Sequence, residues 1–192
     1  MVIVLIISII AFSFGNSCIE QVEIELWGNC YNIKETTRLN ISGAGLNTEI
    51  PPQIGDLYNL YFIDLSNNRL SGEIPSEIGN LINLNFLYLQ DNNLSGEIPS
   101  EIGNLINLNF LYLQDNNLSG EIPSEIGNLI NLNSLRLFNN HLSGEIPLSF
   151  RNLSELEFLY LQSNKFVGDI SSKIGDLKKL KHSNFDNNQF SN

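Results

Sequence analysis

Residues 81–104 read "LINLNFLYLQDNNLSGEIPSEIGN", and residues 105–128 repeat the same 24 letters without a change. A catalytic site depends on one particular arrangement of groups and gains little from being copied. A stack of structural units gains from copying, because each unit needs only a neighbour to pack against. The duplication lies inside a longer series. Aligned on LxLxxNxL, it runs "LNISGAGL" (39–46), "IDLSNNRL" (63–70), "LYLQDNNL" (87–94 and 111–118), "LRLFNNHL" (135–142), "LYLQSNKF" (159–166) and a degraded "SNFDNNQF" (183–190), each starting 24 residues after the last. A fixed period of this length is the signature of a solenoid.

Within a unit, the two leucines of "LYL" point to one side and the tyrosine to the other, which is the alternation of a strand. These segments are too short and too regularly spaced for helices. Stacked in parallel about 4.8 Å apart, they predict one sheet with a leucine-lined inner face. The asparagines at Asn68, Asn92, Asn116, Asn140, Asn164 and Asn188 recur at one place in a buried turn. Buried amides need partners, so this column reads as a ladder bonded to the backbone. Ala44 stands at that place in the first unit. The remainder, "LSGEIPSEIGNL", is the return path. Its isoleucines close the core from behind, and its prolines predict a convex side without a continuous hydrogen-bond ladder.

The pattern LxxLxxLxLxxNxLSGxIPxxIGxLxx resembles the plant-type leucine-rich repeat over about residues 33–192. That family includes the ectodomains of receptor-like kinases and the polygalacturonase-inhibiting proteins. The resemblance implies a right-handed horseshoe of about seven units with the parallel β-sheet on its concave face, and recognition in place of catalysis. "LWGNC", with Trp27 and Cys30, is similar to the family's N-terminal cap, giving a domain order of signal segment 1–17, cap 18–36 and repeats 37–192. The sequence departs from the pattern at Ser171, which replaces a proline, and at Ser183, which replaces a strand leucine. No cysteine-bearing cap follows the last unit, and an open end there predicts exposed apolar surface at Phe185 and Phe190, with self-association through it.

The first fourteen residues, "MVIVLIISIIAFSF", carry no charged side chain. The run is shorter than the roughly 20 apolar residues of a spanning helix and fits a signal peptide cleaved near Gly15 and Ser17. An uncleaved anchor is the alternative. Cys18 and Cys30 are the only cysteines, and an even count in an exported chain points to a disulfide, two free buried thiols being the alternative. A secreted or surface-exposed protein is the expectation.

The net charge is −11. Clustered Lys and Arg are required to neutralise phosphates, so nucleic acid is excluded as a partner. His141 and His182 lie at unrelated repeat positions, and no nucleophile or metal-ligand grouping converges on them, so no catalytic residue, metal or cofactor is expected. Glu49, Glu73, Glu97, Glu121, Glu145 and Asp169 form an acidic column, read as a solvated face with a cation-binding ridge as the lesser alternative. The tail lysines Lys173, Lys178, Lys179 and Lys181 read as solvating an exposed end.

Between the strand leucines, one column runs Asn40, Asp64, Tyr88, Tyr112, Arg136, Tyr160, Asn184, and its neighbour runs Arg38, Phe62, Phe86, Phe110, Ser134, Phe158, His182. A third runs Ser42, Ser66, Gln90, Gln114, Phe138, Gln162, Asp186. Tyr and Arg dominate binding hot spots, so Tyr88, Tyr112, Arg136, Phe138 and Tyr160, with Phe86, Phe110, Gln90 and Gln114 beside them, predict a contact patch for a protein or peptide, or for a glycan. Cross-strand stacking without any ligand is the competing account. An inhibitor of a secreted hydrolase, an adhesive surface repeat and a fragment of a receptor ectodomain are the alternative functions. Sequons at Asn40, Asn93, Asn117 and Asn152 are candidate glycosylation sites.

Overall fold

The computed structural model describes residues 18–191, so the reading of 1–17 as a signal segment lies outside the described residues. In chain order the strands are β1 (Glu23–Leu26), β2 (Asn29–Asn32), β3 (Arg38–Asn40), β4 (Phe62–Asp64), β5 (Phe86–Tyr88), β6 (Phe110–Tyr112), β7 (Ser134–Arg136), β8 (Ser143–Glu145), β9 (Phe158–Tyr160), β10 (Lys165–Gly168), β11 (His182–Asn184) and β12 (Gln189–Phe190). Strands β3, β4, β5, β6, β7, β9 and β11 form one seven-stranded parallel sheet in sequence order. Its register equals the repeat period: Phe86 pairs with Phe110, Leu87 with Leu111 and Tyr88 with Tyr112.

The central leucine of β3, β5, β6, β7 and β9 faces inward, as does Ile63 of β4, while Ser183 of β11 is exposed. In the third unit Leu87, Leu89, Leu94, Ile102, Leu105 and Leu108 are fully buried and Ile98 is 3% exposed. Burying each side chain of this size contributes roughly 1.5–3 kcal/mol. The Asn column holds the turn that follows. Asn92 Nδ2 donates to the carbonyls of Leu65 (3.0 Å), Leu89 (3.1 Å) and Gln90 (3.2 Å), while its Oδ1 accepts from Leu70 N–H at 3.0 Å. One amide thus ties its own unit to the preceding one. Asn68, Asn116, Asn140 and Asn164 do the same, and in the last unit Asn188 accepts from Phe166 N–H and donates to Leu161 O.

The return path is a series of 3-10 turns at Pro52–Asp56, Ser76–Asn80, Ser100–Asn104, Ser124–Asn128 and Leu148–Asn152. Proline forces the residue before it out of the α region, which delays helix entry and leaves room for a short turn only. At 171 the proline is absent. Ile170 there takes α-helical angles (φ −73°, ψ −33°) and a four-residue α-helix, α1 (Ser171–Ile174), replaces the 3-10 turn.

The convex side departs from the expectation of a broken ladder. Strands β8, β10 and β12 form a second parallel sheet, and the bonds Ser95 N–H to Gly72 O and Ser119 N–H to Gly96 O, both 2.8 Å, extend the same stepping into earlier units. The reason is positional. Each proline lies four residues beyond the bonded serine, as Pro99 does beyond Ser95, so the serine N–H remains free to donate.

At the start of the described chain, β1 and β2 form an antiparallel hairpin turned by Trp27 (φ 48°) and Gly28 (φ 77°). Positive φ at both turn residues is what a two-residue turn matching strand twist requires. Cys18 and Cys30 are joined in a disulfide, Leu26 is fully buried, and Trp27 Nε1 donates to Glu49 O at 3.2 Å. At the other end Phe185 and Phe190 are half-buried, with ring centroids 6.3 Å apart, and Phe190 stacks on Phe166 at 6.2 Å. The tail lysines do more than solvate: Lys173 pairs with Glu145, Lys179 with Glu155 and Lys181 with Glu157. Among the described residues, no helix is long and apolar enough to cross a membrane.

Candidate functional site on the concave face

Because the sheet is in register, residues 24 apart sit side by side, and the outward positions become continuous rows of like side chains. Tyr88 and Tyr112 stack with centroids 4.8 Å apart at 25°. The Arg136 guanidinium continues that row, its Cζ 4.3 Å from the Tyr112 centroid and 5.5 Å from that of Tyr160. In the adjacent row Phe86 and Phe110 stack at 5.2 Å and 9°, Phe62 lies 5.9 Å from Phe86, and the Arg38 guanidinium carbon covers Phe62 at 4.1 Å. The two rows meet edge to face, Phe86 to Tyr88 at 6.3 Å and Phe110 to Tyr112 at 6.2 Å. Offset and edge-on geometries of this kind are the favourable ones for aromatic pairs.

Burial, then the neighbouring Tyr112 hydroxyl and the Asp64 carboxylate, push the Tyr88 phenol above its ordinary pKa, with Arg136 working against them. Asp64 is itself engaged, accepting from Ser66 Oγ at 2.6 Å and Ser66 N–H at 3.0 Å. Arg136 is not. Among the described residues its side chain forms no ion pair or hydrogen bond, and its Nε is buried without a partner. The third row is equally unsatisfied: the Oε1 atoms of Gln90, Gln114 and Gln162 are buried without partners, Gln114 being only 6% exposed. Phe138 occupies this row, half-buried, between Gln114 and Gln162, to which it is joined by backbone bonds of the adjacent residues. It lies beside the tyrosine–arginine row and not within it.

Other candidates fall elsewhere. Asn40, Asn93, Asn117 and Asn152 are all exposed, Asn40 on β3 at the first edge of the concave sheet. The acidic column runs along the return path, where Lys173 donates to Glu145 at 3.0 Å. His182 stacks on Phe158 at 5.3 Å, while His141 is exposed in a turn, so the two do not converge. Among the described residues the one grouping of metal-ligand type is Cys18, Glu23 and Cys30, whose thiols are consumed by the disulfide. A shallow hollow of about 640 Å³, lined by Trp27, Thr48, Glu49, Ile50 and Pro51, lies between the hairpin and the first unit.

Two rows escaped the sequence reading. Asn67, Asp91, Asp115, Asn139, Ser163 and Asn187 all adopt left-handed backbone, φ 52–58°. Asn and Asp are the non-glycine residues that tolerate this conformation, so the doublets "NN" and "DN" carried the signal. Asp91 and Asp115 stand side by side there, and burial followed by Asp115 raises the Asp91 pKa. Asn139 Nδ2 donates to Asp115 Oδ1 at 2.7 Å. The second is an exposed apolar row of Tyr58, Ile82, Ile106 and Ile130, 43–55% accessible, before the concave strands.

The leucine-rich-repeat family model matches residues 59–81, 83–105, 107–129 and 131–153. No curated protein matches by sequence. Among solved structures, a TDR receptor aligns with a TM-score of 0.79 and 41% identity, over 82% of this chain and 27% of that one. The Arabidopsis receptor kinase HAESA, in complex with the peptide hormone IDA and the co-receptor SERK1, aligns with a TM-score of 0.72 and 38% identity, over 74% of this chain and 24% of that one. The chain therefore spans less than a third of these longer receptors. A pollen receptor kinase 3 aligns with a TM-score of 0.74 and 31% identity, over 90% of this chain and 81% of that one. Since that identity extends over most of both molecules, the likeness is one of family and not of fold alone, and the chain belongs to the plant-type leucine-rich-repeat family.

Proposed function

We propose that this protein is an extracellular recognition module whose concave face binds a protein or peptide and which performs no catalysis. The observation that carries the reading is Arg136: a guanidinium held against Tyr112, with no counter-ion among the described residues, on a chain of net charge −11. A cation fixed in place and left uncompensated is a group prepared for an acidic or carbonyl-rich ligand, and its rigidity lowers the ordering cost of binding. The stacking also favours a peptide over a glycan. Sugars bind aromatic residues by their faces, and here the Tyr112 faces are taken by Tyr88 and Arg136, leaving hydroxyl edges. The disulfide, the apolar first fourteen residues and the receptor relatives support export.

The test is capture from secreted material of the source organism. One bait is residues 18–192, and the other is the same chain with Tyr88, Tyr112, Arg136 and Tyr160 changed to Ala, both verified as folded by circular dichroism. A protein or peptide held by the first and lost by the second is the expected result. Equal capture by both would overturn the concave-face reading, and recovery of the chain alone would favour association through the Phe185 and Phe190 end. A captured hydrolase that loses activity would single out the inhibitor function.

A further inference from the structure

The phenylalanine row of the concave face is a stack capped at both ends and interrupted once. It begins under the Arg38 guanidinium, runs through Phe62, Phe86 and Phe110, and ends with His182 on Phe158 at 5.3 Å. Between Phe110 and Phe158, in strict register with both, stands Ser134. Among the described residues Phe110 makes ring contacts with Phe86 and Tyr112, and Phe158 with His182, but the two do not touch each other. Adjacent strands lie about 4.8 Å apart, so the two rings project from backbones about 9.6 Å apart. A ring sandwiched between two others needs a centroid separation of roughly 4.5–7 Å on each side, so the interval admits one aromatic ring and no more.

The floor of this interval is polar and unsatisfied. Ser134 is 1% exposed, and its Oγ has no hydrogen-bond partner. A buried hydroxyl without a partner is costly to leave in the folded state, and such groups in native proteins call for an explanation. With Ser134 covered, its neighbours close over the interval in this structure, and a visitor enters by displacing Phe110 or Phe158, both of which are half-buried at the surface.

We infer that this gap is a subsite for a single tyrosine side chain of the peptide or protein ligand, its ring held between Phe110 and Phe158 and its hydroxyl bonded to Ser134 Oγ. The inference rests on the concave face being the binding surface, and it names the side chain that the surface selects. A phenylalanine fills the interval but leaves Ser134 unpaired.

The probes are N-acetyl-tyrosinamide and N-acetyl-phenylalaninamide, titrated into the protein labelled at its phenylalanine rings and followed by NMR. We expect saturable shifts at Phe110 and Phe158, with tyrosine preferred over phenylalanine by about threefold to tenfold, the range of one hydrogen bond. Ser134→Ala abolishes that preference while leaving ring binding in place. Ser134→Phe completes the stack, keeps the melting temperature at or above that of the parent chain, and abolishes binding. Shifts confined to other rings, an unchanged preference in the alanine variant, or undiminished binding by a folded Ser134→Phe variant each overturn the subsite. A partner captured by the parent chain, lost with the fourfold alanine variant and retained with Ser134→Phe would leave the concave-face function standing and remove this inference alone.

Discussion

Arg136 lies with its guanidinium carbon 4.3 Å above the Tyr112 ring, and in the copied units the same place is held by a tyrosine. A cation has therefore been set into an aromatic row without breaking its stacking. Arg136→Ala should cost about 0.5–2 kcal/mol of stability, the range from an exposed to a desolvated cation–π contact. Partner affinity should fall tenfold or more, as for a hot-spot arginine. Arg136→Lys keeps the charge but loses the planar stack and should recover little of the affinity. Binding measured by calorimetry beside urea denaturation separates the two effects, and a variant weakened in stability alone would refute the role.

The Asn column makes a prediction about position along the stack. Asn116 Nδ2 donates to the carbonyls of Leu89, Leu113 and Gln114, and its Oδ1 accepts from Leu94 N–H at 2.9 Å. Asn116→Ala strands these buried backbone groups and should cost roughly 2–3 kcal/mol. The same change at the half-buried Asn188 should cost distinctly less, because water can replace the amide. Equal shifts in the urea midpoint would show that the ladder does not act through burial.

Gly103 inverts an ordinary expectation. Glycine to alanine at a conformation open to both usually stabilises, by about 0.4–1 kcal/mol. At Gly103 an added Cβ would stand 2.5 Å from the Glu125 carbonyl oxygen and 2.6 Å from Glu125 Cβ, on the next unit. Gly103→Ala should therefore destabilise by about 1–3 kcal/mol, the cost of overpacking, read from thermal or urea unfolding. A gain in stability would mean that neighbouring units can separate freely.

The Asp91 carboxyl, raised by burial and by Asp115, gives a pH dependence of definite sign. A carboxyl whose folded pKa exceeds its unfolded one binds its proton more tightly when folded. It therefore weakens the fold above the folded pKa, and the penalty is relieved as the pH falls through that value toward the unfolded one. Asp91→Asn, which also suits the left-handed backbone, should raise the urea midpoint at pH 7 and leave it nearly unchanged at pH 3. A gain of equal size at both pH values would place its origin in the backbone and not in the charge.

How far the sequence could be read depended on what kind of information each residue carried. Leu87, Leu111 and Leu135 announced their burial through period alone, because alternation in a strand is a local rule. Asn92 and Asn116 announced theirs by recurring at one place. Gly103 gave no such sign, since its role is set by contact with Glu125, which is 22 residues away along the chain and touches it only after stacking. The convex ladder was missed for a related reason. The prolines were legible, but that the serines four residues earlier would donate across units was a matter of register. Phe138 was legible in the glutamine column by alternation, and the structure keeps it there, between Gln114 and Gln162.

The sequence by itself determined the unit, its period, the inward leucines and the family. These follow from rules that hold within a few residues, multiplied by repetition. Only the tertiary structure decided which faces of the aromatic side chains were covered, that Arg136 was left without a counter-ion, and that Ser134, legible as the break in its column, is buried with its hydroxyl unpartnered. Those facts arise between units, where residues 24 positions apart come within about 5 Å. A single unit read along the chain contains no trace of what its neighbour will cover.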